Sequence, residues 1–560
     1  MKYAVHAGID AEIAVVGSLE KIFPDRRDYP DVGRLDAFRG ERTHFQVVIF
    51  TSDPFVSVEL GLSGPLAGYG AVHEVVYLPC LAPVSPEDPD VLRSSGGLFP
   101  GALAHGRRME LQAGCSGAFW VTVNIPENCR PGTAELGLEL TFFPYRSPAV
   151  PVKLTLPVTV YDAVLPPQKL ACEMWFHGDC LLNYYRVGCW SERCWEIFGN
   201  YFRDMALHGV DTLLTPLWTL PLDTAPGGTR PLVQLLDIRK TGEKYTFRFH
   251  RLKRWIDTAR RAGIRKFSFS HLFTQWGLCA TPRIIAREDG EDKEIFGWHV
   301  PADSPEYAAF LRRLFARLIP FLRRNGLTEK DVYFHLSDEP GEDHLEQYRK
   351  CSALVRPLLP GFKILDALSH VSFFDEGLIE CPVVNESFIG DFLDRTPRER
   401  WLYYCGEWQD HVPNRKLGTS SVRNRILGVI LYLYRMDGFL EWGYNFWFSQ
   451  ESRQQNLDPW SFRDIHRIFG NNGGAFAVLP GRDGSPVSTV HFEVFADALQ
   501  DLRLLQLLEA SVGREKVVEL LNEGLSRPIT IHDWPHDPAW FFGLRKRIAE
   551  RLLRNSAGRR

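Results

Sequence analysis

Apolar residues in the first part of the chain fall in short alternating or β-branched runs. HFQVVIF, SVELGL, HEVVYLPCL, GAFWVTVNIP, GTAELGLELTF and VKLTLPVTVYD lie between residues 44 and 162, separated by Gly, Pro, Asn and Ser. Strands at that spacing, with no helical period between them, predict an antiparallel β-sandwich over residues 1–165. At LPPQ (165–168) two prolines fix the backbone and cannot continue a ladder, which predicts a domain boundary.

From residue 169 the period changes. Amphipathic stretches such as SERCWEIFGNYFRDMALHGV and FHRLKRWIDTARRAGI alternate with short apolar runs. The runs are LACEMWFHG, DTLLTPLW, KFSFSHLF, DVYFHLSDEP, FKILDALS, VVNES, RWLYYCGEW and GFLEWGYNFW. Eight strand–helix alternations predict a (β/α)8 barrel over residues 169–475. A doubly wound open sheet is the rival, but no Gly-rich phosphate loop follows any run. Ser304, before Pro305 and Glu306, predicts a capped helix start. Residues 476–560 read as a small β/helical appendage packed on the barrel, opening with the end of AFAVLPGRDGSPVSTV.

Composition narrows the function. A chain of 560 residues holds two or three domains, and 45% hydrophobic with 24% charged residues is globular. A net charge of −4 gives no reason to expect a nucleic-acid partner, although RKRIAERLLRNSAGRR is locally basic. No run of roughly 18 apolar residues predicts a membrane span. The opening MKYAVHAGIDAEIAVVGSLEKIF lacks the basic-then-apolar pattern of a signal peptide. The 11 cysteines form no CxxC pair, and Cys172, Cys180, Cys189 and Cys194 are unevenly spaced. Reduced thiols, a cytoplasmic location, and no metal or cofactor are the resulting expectations. Oligomeric state is not legible.

In such a barrel the working groups sit where strands end. Asp338 and Glu339 end the fourth run. His177, Trp218, His271, Asn385, Glu386, Tyr403, Tyr404, Glu407, Trp408, Trp442, Tyr444, Asn445 and Trp447 end others. With 15 Trp in the chain, a rim of acids, amides and aromatic rings suits sugar chemistry, where an acid protonates a leaving oxygen. Neighbours on a flat strand point to opposite faces, but a turn at Pro340 lets both acids converge on one cleft. Repulsion and desolvation then raise one pKa. The plainer reading is that Asp338 caps the next helix and Glu339 pairs with an Arg. His271 is either a ligand to a sugar hydroxyl or a histidine satisfied by backbone. Cys405 has no partner His on its element, which argues against a cysteine nucleophile.

HLSDEP resembles the catalytic signature of glycoside hydrolase family 123. RWLYYCGEWQDHVPNRKLG, RILGVILYLYRMDGFLEWGYNFW and LPGRDGSPVSTVHFEVFADALQDLRLL resemble its downstream order. ERTHFQVVIF, FWVTVNIPENCRPGTAEL and VTVYDAVLPP resemble its N-terminal sandwich and linker. The resemblance implies a retaining β-N-acetylgalactosaminidase acting on an oligosaccharide or glycoconjugate. In such an enzyme the substrate's 2-acetamido oxygen is the nucleophile. Glu339 would be the acid/base, and Asp338 would orient and stabilise the acetamide. His271, Asn385, Glu386, Tyr404, Trp442, Tyr444 and Trp447 are the predicted substrate-binding residues. Two other readings stay open: a protein nucleophile at Glu386, Glu407 or Glu441, and a carbohydrate-binding protein without turnover.

Overall fold

The computed structural model describes residues 3–5, 9–81, 89–405, 411–461 and 473–557. The chain forms two compact units. One comprises residues 170–409 and 435–486; the other comprises 1–169, 410–434 and 487–560. Helices Val490–Val512, Arg514–Asn522 and Pro538–Ala557, read from sequence as part of an appendage on the barrel, thus group with the sandwich. None of the 11 cysteines is joined in a disulfide.

The first unit is a closed parallel barrel of eight strands. They are Ala171–Met174, Thr212–Thr215, Lys266–Phe269, Val332–Phe334, Lys363–Leu368, Cys381–Asn385, Trp401–Tyr403 and Gly438–Glu441. Seven lie within their apolar runs, and Cys381–Asn385 overlaps VVNES but starts two residues earlier. The strands are buried almost throughout, which explains why they read as continuous apolar stretches rather than alternating ones. Helix Pro305–Arg324 starts as its sequence predicts, with the Ser304 hydroxyl accepting from the Tyr307 N–H at 3.3 Å.

Two hairpins interrupt the alternation. Asp237–Thr241 with Lys244–Arg248 follows the second barrel strand, and Ile284–Glu288 with Glu291–Phe296 follows the third. They join into one four-stranded sheet through a parallel pairing of Arg239 with Arg287. The Gln234 side chain closes the seam, donating to the Ile285 carbonyl at 2.8 Å and accepting from its N–H at 3.0 Å.

The second unit contains a six-stranded and a five-stranded sheet. Long ladders such as Gly132–Pro144 against Val150–Val164 are antiparallel, while Leu35–Arg39 pairs parallel to Val150–Val164. Inward residues of both sheets, among them Phe45, Val47, Val58, Phe119 and Leu138, form one core. Helix Val490–Val512 is buried at every position from Val490 to Leu502, so its charged residues need partners. Arg425 donates to Asp497 and Asp501, and Arg545 to Asp501 and Glu41. Arg42 donates to Glu493 at 3.0 Å. The Ala498 carbonyl lies 2.0 Å from where a Cβ would stand at position 428, so only glycine fits there.

Removing one member of this network strands buried charge. Arg425→Met is expected to destabilise the protein by about 3–5 kcal/mol, measured by chemical unfolding. A loss below about 1 kcal/mol would show that the two aspartates are solvated or protonated.

Candidate active site

Strand four ends at Phe334, but its pairing continues. Leu272 and Phe273 donate backbone N–H groups to the carbonyls of His335 and Leu336, and Trp276 N–H donates to Asp338 O. On the other side Glu339 N–H donates to Ala367 O. One Asp366 carboxylate oxygen accepts from the N–H groups of Leu336, at 2.8 Å, and Ser337, at 3.3 Å. The segment is therefore held from both neighbours up to the acids. Glu339 has a φ of 46°, in the left-handed region, although the residue before a proline normally prefers extended backbone. That turn sends Asp338 and Glu339 into one pocket at the strand ends.

Neither acid behaves as a helix cap or an arginine partner. Asp338 is buried and accepts from the Gln275 amide at 2.6 Å. Glu339 accepts from the Tyr403 hydroxyl at 2.5 Å and hydrogen-bonds the Trp276 side chain. Burial, followed by the Glu339 charge, pushes the Asp338 carboxyl well above the usual range; the charge of His335 and the Gln275 hydrogen bond oppose this. Burial also raises Glu339, against the hydrogen bonds from Tyr403 and Trp276. Two buried acids side by side titrate as a coupled pair, so a charge on one disfavours a charge on the other.

Beneath them lies His335. Its ring is 3.8 Å from Glu173 and 3.7 Å from Asp366, with the Ser268 hydroxyl 2.7 Å from Nε2. Burial would strip its proton, but the hydrogen bonds and charges of Asp366 and Glu173 prevail and push its pKa up to about 10. The Tyr348 hydroxyl donates to the other Asp366 oxygen at 2.6 Å.

Trp175 and Trp442 add aromatic wall, and Trp276, 40% exposed, stands at the edge. Trp276, Gly277 and Leu278 all have positive φ. A Cβ on Gly277 would meet the His344 ring at 2.8 Å. Arg230 completes one side. It donates to both Asp179 oxygens, at 2.7 and 2.9 Å, contacts His177 Nδ1 at 2.9 Å, and donates to the Leu222 carbonyl. His177 Nε2 is 2.8 Å from the Trp442 carbonyl, so its ring bridges Arg230 and strand eight.

Of the residues named from sequence, Asp338, Glu339 and Trp442 line the pocket, as do the strand-end residues His177 and Tyr403. The others do not. His271 is buried below, stacked on His335 at 4.5 Å and edge-on to Trp175. Asn385 caps the turn that follows it and hydrogen-bonds Tyr403 from behind. Glu386 is fully buried, and Tyr404 packs on Phe439. The Tyr444 hydroxyl donates to Asp204, and the Trp447 indole to the Val478 carbonyl. Both lie beyond the strand end at Glu441, where inward alternation has stopped. Glu441 accepts from Gly443 N–H at 3.0 Å and does not line the pocket. Glu407 and Trp408 lie outside the described residues. Sequence reasoning missed Asp223, Arg230 and Gln275, which sit on aperiodic loops, and also Glu173, His335 and Asp366. The last three carried a signal: each is a titratable residue inside an otherwise apolar run.

Comparison with known proteins identifies the scaffold. The model of the glycoside hydrolase 123 catalytic domain matches residues 175–508, more than half of the chain. The chain belongs to glycoside hydrolase family 123. It is accordingly a glycoside hydrolase, acting on glycans. A family 123 glycoside hydrolase from Clostridium perfringens, studied for glycolipid glycan hydrolysis, superposes with a TM-score of 0.74 at 15% identity. The match covers 96% of this chain and 97% of that one, which shows a shared fold. A family 5 xyloglucanase from Bacteroides ovatus aligns at a TM-score of 0.29 and 9% identity, over 83% of this chain and 98% of that one. No curated protein matches the sequence. Among the described residues no helix is long and apolar enough to cross a membrane.

The His335 charge has a thermodynamic signature. A folded pKa of about 10 against 6.5 for the free side chain contributes stability that is complete below about pH 6.5 and lost as pH rises through about 10. The stability gap between wild type and His335→Gln, read by urea unfolding, is expected to be widest near pH 6 and to close above pH 10. A gap independent of pH would mean that His335 is neutral in the fold.

Proposed function

We propose that this glycoside hydrolase is a retaining β-N-acetylhexosaminidase, selective for N-acetylgalactosamine-type sugars, that uses the substrate's acetamide as its nucleophile. The observation that carries this reading is the delivery of two consecutive carboxylates into one aromatic-walled pocket, each gripped by a different donor. In that arrangement Glu339 protonates the departing glycosidic oxygen. Asp338 accepts the acetamide N–H and balances the positive charge that grows as the carbonyl oxygen closes on the anomeric carbon. Glu339 then takes a proton from the water that opens the cyclic intermediate. An N–H donor at Asp338 favours its ionised form. Substrate binding therefore shifts the shared proton to Glu339, where the chemistry needs it. Glu386 and Glu441, the described candidates for a protein nucleophile, do not line the pocket. A glycoconjugate ending in a 2-acetamido sugar, as on a glycolipid, is the proposed substrate class, and a cytoplasmic site of action remains part of the proposal.

Glu339→Gln is expected to lower turnover by ~10²–10⁴-fold, with a smaller loss on glycosides whose leaving group is acidic enough to depart unprotonated. Asp338→Asn should be impaired whatever the leaving group. The measurement is kcat/KM on nitrophenyl glycosides with and without the 2-acetamido group. Equal rates on the 2-hydroxy and 2-acetamido sugars, or a near-wild-type Asp338→Asn, would rule out the acetamide as nucleophile.

A further inference from the structure

A third carboxylate lines the same pocket. Asp223 sits on the loop after barrel strand two, with a φ of 44°. Its Oδ1 accepts from the Glu451 N–H at 2.9 Å, and the carboxylate also takes a hydrogen bond from the Ser452 backbone. Its Oδ2 is buried and has no hydrogen-bond partner among the described residues. A buried charged oxygen without a partner is costly in a folded protein. Arg230 eases the charge of Asp223 from a distance but gives it no hydrogen bond, because its donors go to Asp179, His177 and Leu222 O.

The placement of this oxygen is fixed with respect to the reacting pair. The Asp223 N–H donates to Gln275 Oε1, while Gln275 Nε2 donates to Asp338 at 2.6 Å. One amide group thus has the Asp223 backbone at one end and the Asp338 carboxylate at the other. A ring whose acetamide meets Asp338 presents a different edge to Asp223.

We infer that Asp223 is a specificity-determining residue: its Oδ2 accepts a hydrogen bond from one ring hydroxyl of the bound sugar, remote from the bond being cleaved. The inference rests on the glycosidase reading of this pocket and deepens it. A hydroxyl supplies the missing donor, in a pocket that Leu222, Phe446 and Arg230 also line. An anionic substituent at the same ring position meets a carboxylate instead. The substrate is therefore a neutral sugar carrying a free hydroxyl there, and its sulfated counterpart is rejected.

The test is a cycle of enzyme and substrate deletions. Wild type, Asp223→Ala and Asp223→Asn are assayed on nitrophenyl 2-acetamido-2-deoxygalactoside, on its 3-, 4- and 6-deoxy relatives, and on rings sulfated at each of those positions. Asn keeps the shape and tolerates a left-handed backbone, so a fold defect in the Ala variant leaves the cycle intact. Either variant is expected to lose about 10- to 100-fold in kcat/KM on the parent glycoside. Against one deoxy glycoside, variant and wild type should converge, and sulfation at that hydroxyl should be penalised less in Asp223→Asn. If every deoxy penalty is the same in variant and wild type, Asp223 makes no substrate contact and the inference falls alone. If azide restores Asp223→Ala and glycosyl azide accumulates, Asp223 is a nucleophile and the inference is overturned. If wild type turns over neither 2-acetamido nor 2-hydroxy glycosides, the reading of the pocket fails and takes the inference with it.

Discussion

His335 holds a positive charge between Glu173 and Asp366 in a region where burial alone would remove its proton. Much of the upper barrel follows from that. The imidazolium keeps Asp366 able to accept, and Asp366 in turn grips the N–H groups of Leu336 and Ser337. Those residues carry the chain into the turn that presents Asp338 and Glu339. The same charge acts directly on Asp338, opposing its burial. Without a buried cation, so many carboxylates around one site would repel one another and protonate.

The pocket is built with backbone strain as well as charge. Glu339 occupies a left-handed backbone before a proline, and Trp276, Gly277 and Leu278 form a left-handed run facing it. Such conformations persist only where surrounding contacts hold them. Here the holders are backbone hydrogen bonds from Trp276 to Asp338 and from Glu339 to Ala367, together with side-chain bonds from Gln275, Tyr403 and Trp276. The two segments brace each other across the pocket mouth.

The barrel was legible because its strands are buried on both faces and leave short, predominantly apolar runs. Six of the sandwich strands were legible for a related reason: they are long and bounded by turn residues. Shorter ones, such as Leu35–Arg39 and Arg108–Leu111, leave too little pattern. The acidic pair stood out because charge follows an apolar run without a break. Which aromatic residue lines the pocket was not legible. Trp442 follows strand eight directly and faces in, whereas Tyr444 and Trp447 fall where the backbone no longer alternates. Asp223 and Arg230 come from a long aperiodic loop, where spacing carries no information about direction. The grouping of helix Val490–Val512 with the sandwich depends on ion pairs such as Arg42–Glu493, between residues far apart in sequence, which no local pattern encodes.

The two hairpins beside the barrel lie in the same loops that carry the pocket wall. Asp223 and Arg230 belong to the first loop, Gln275 and Trp276 to the second. The shared sheet and the Gln234 clasp tie those loops to each other. Diversification of the sugar preference in this lineage then has a handle outside the pocket. Changes along the hairpin seam tilt both walls together while leaving the acids on strand four untouched, so new preferences can arise without the loss of chemistry that usually accompanies remodelling an active site.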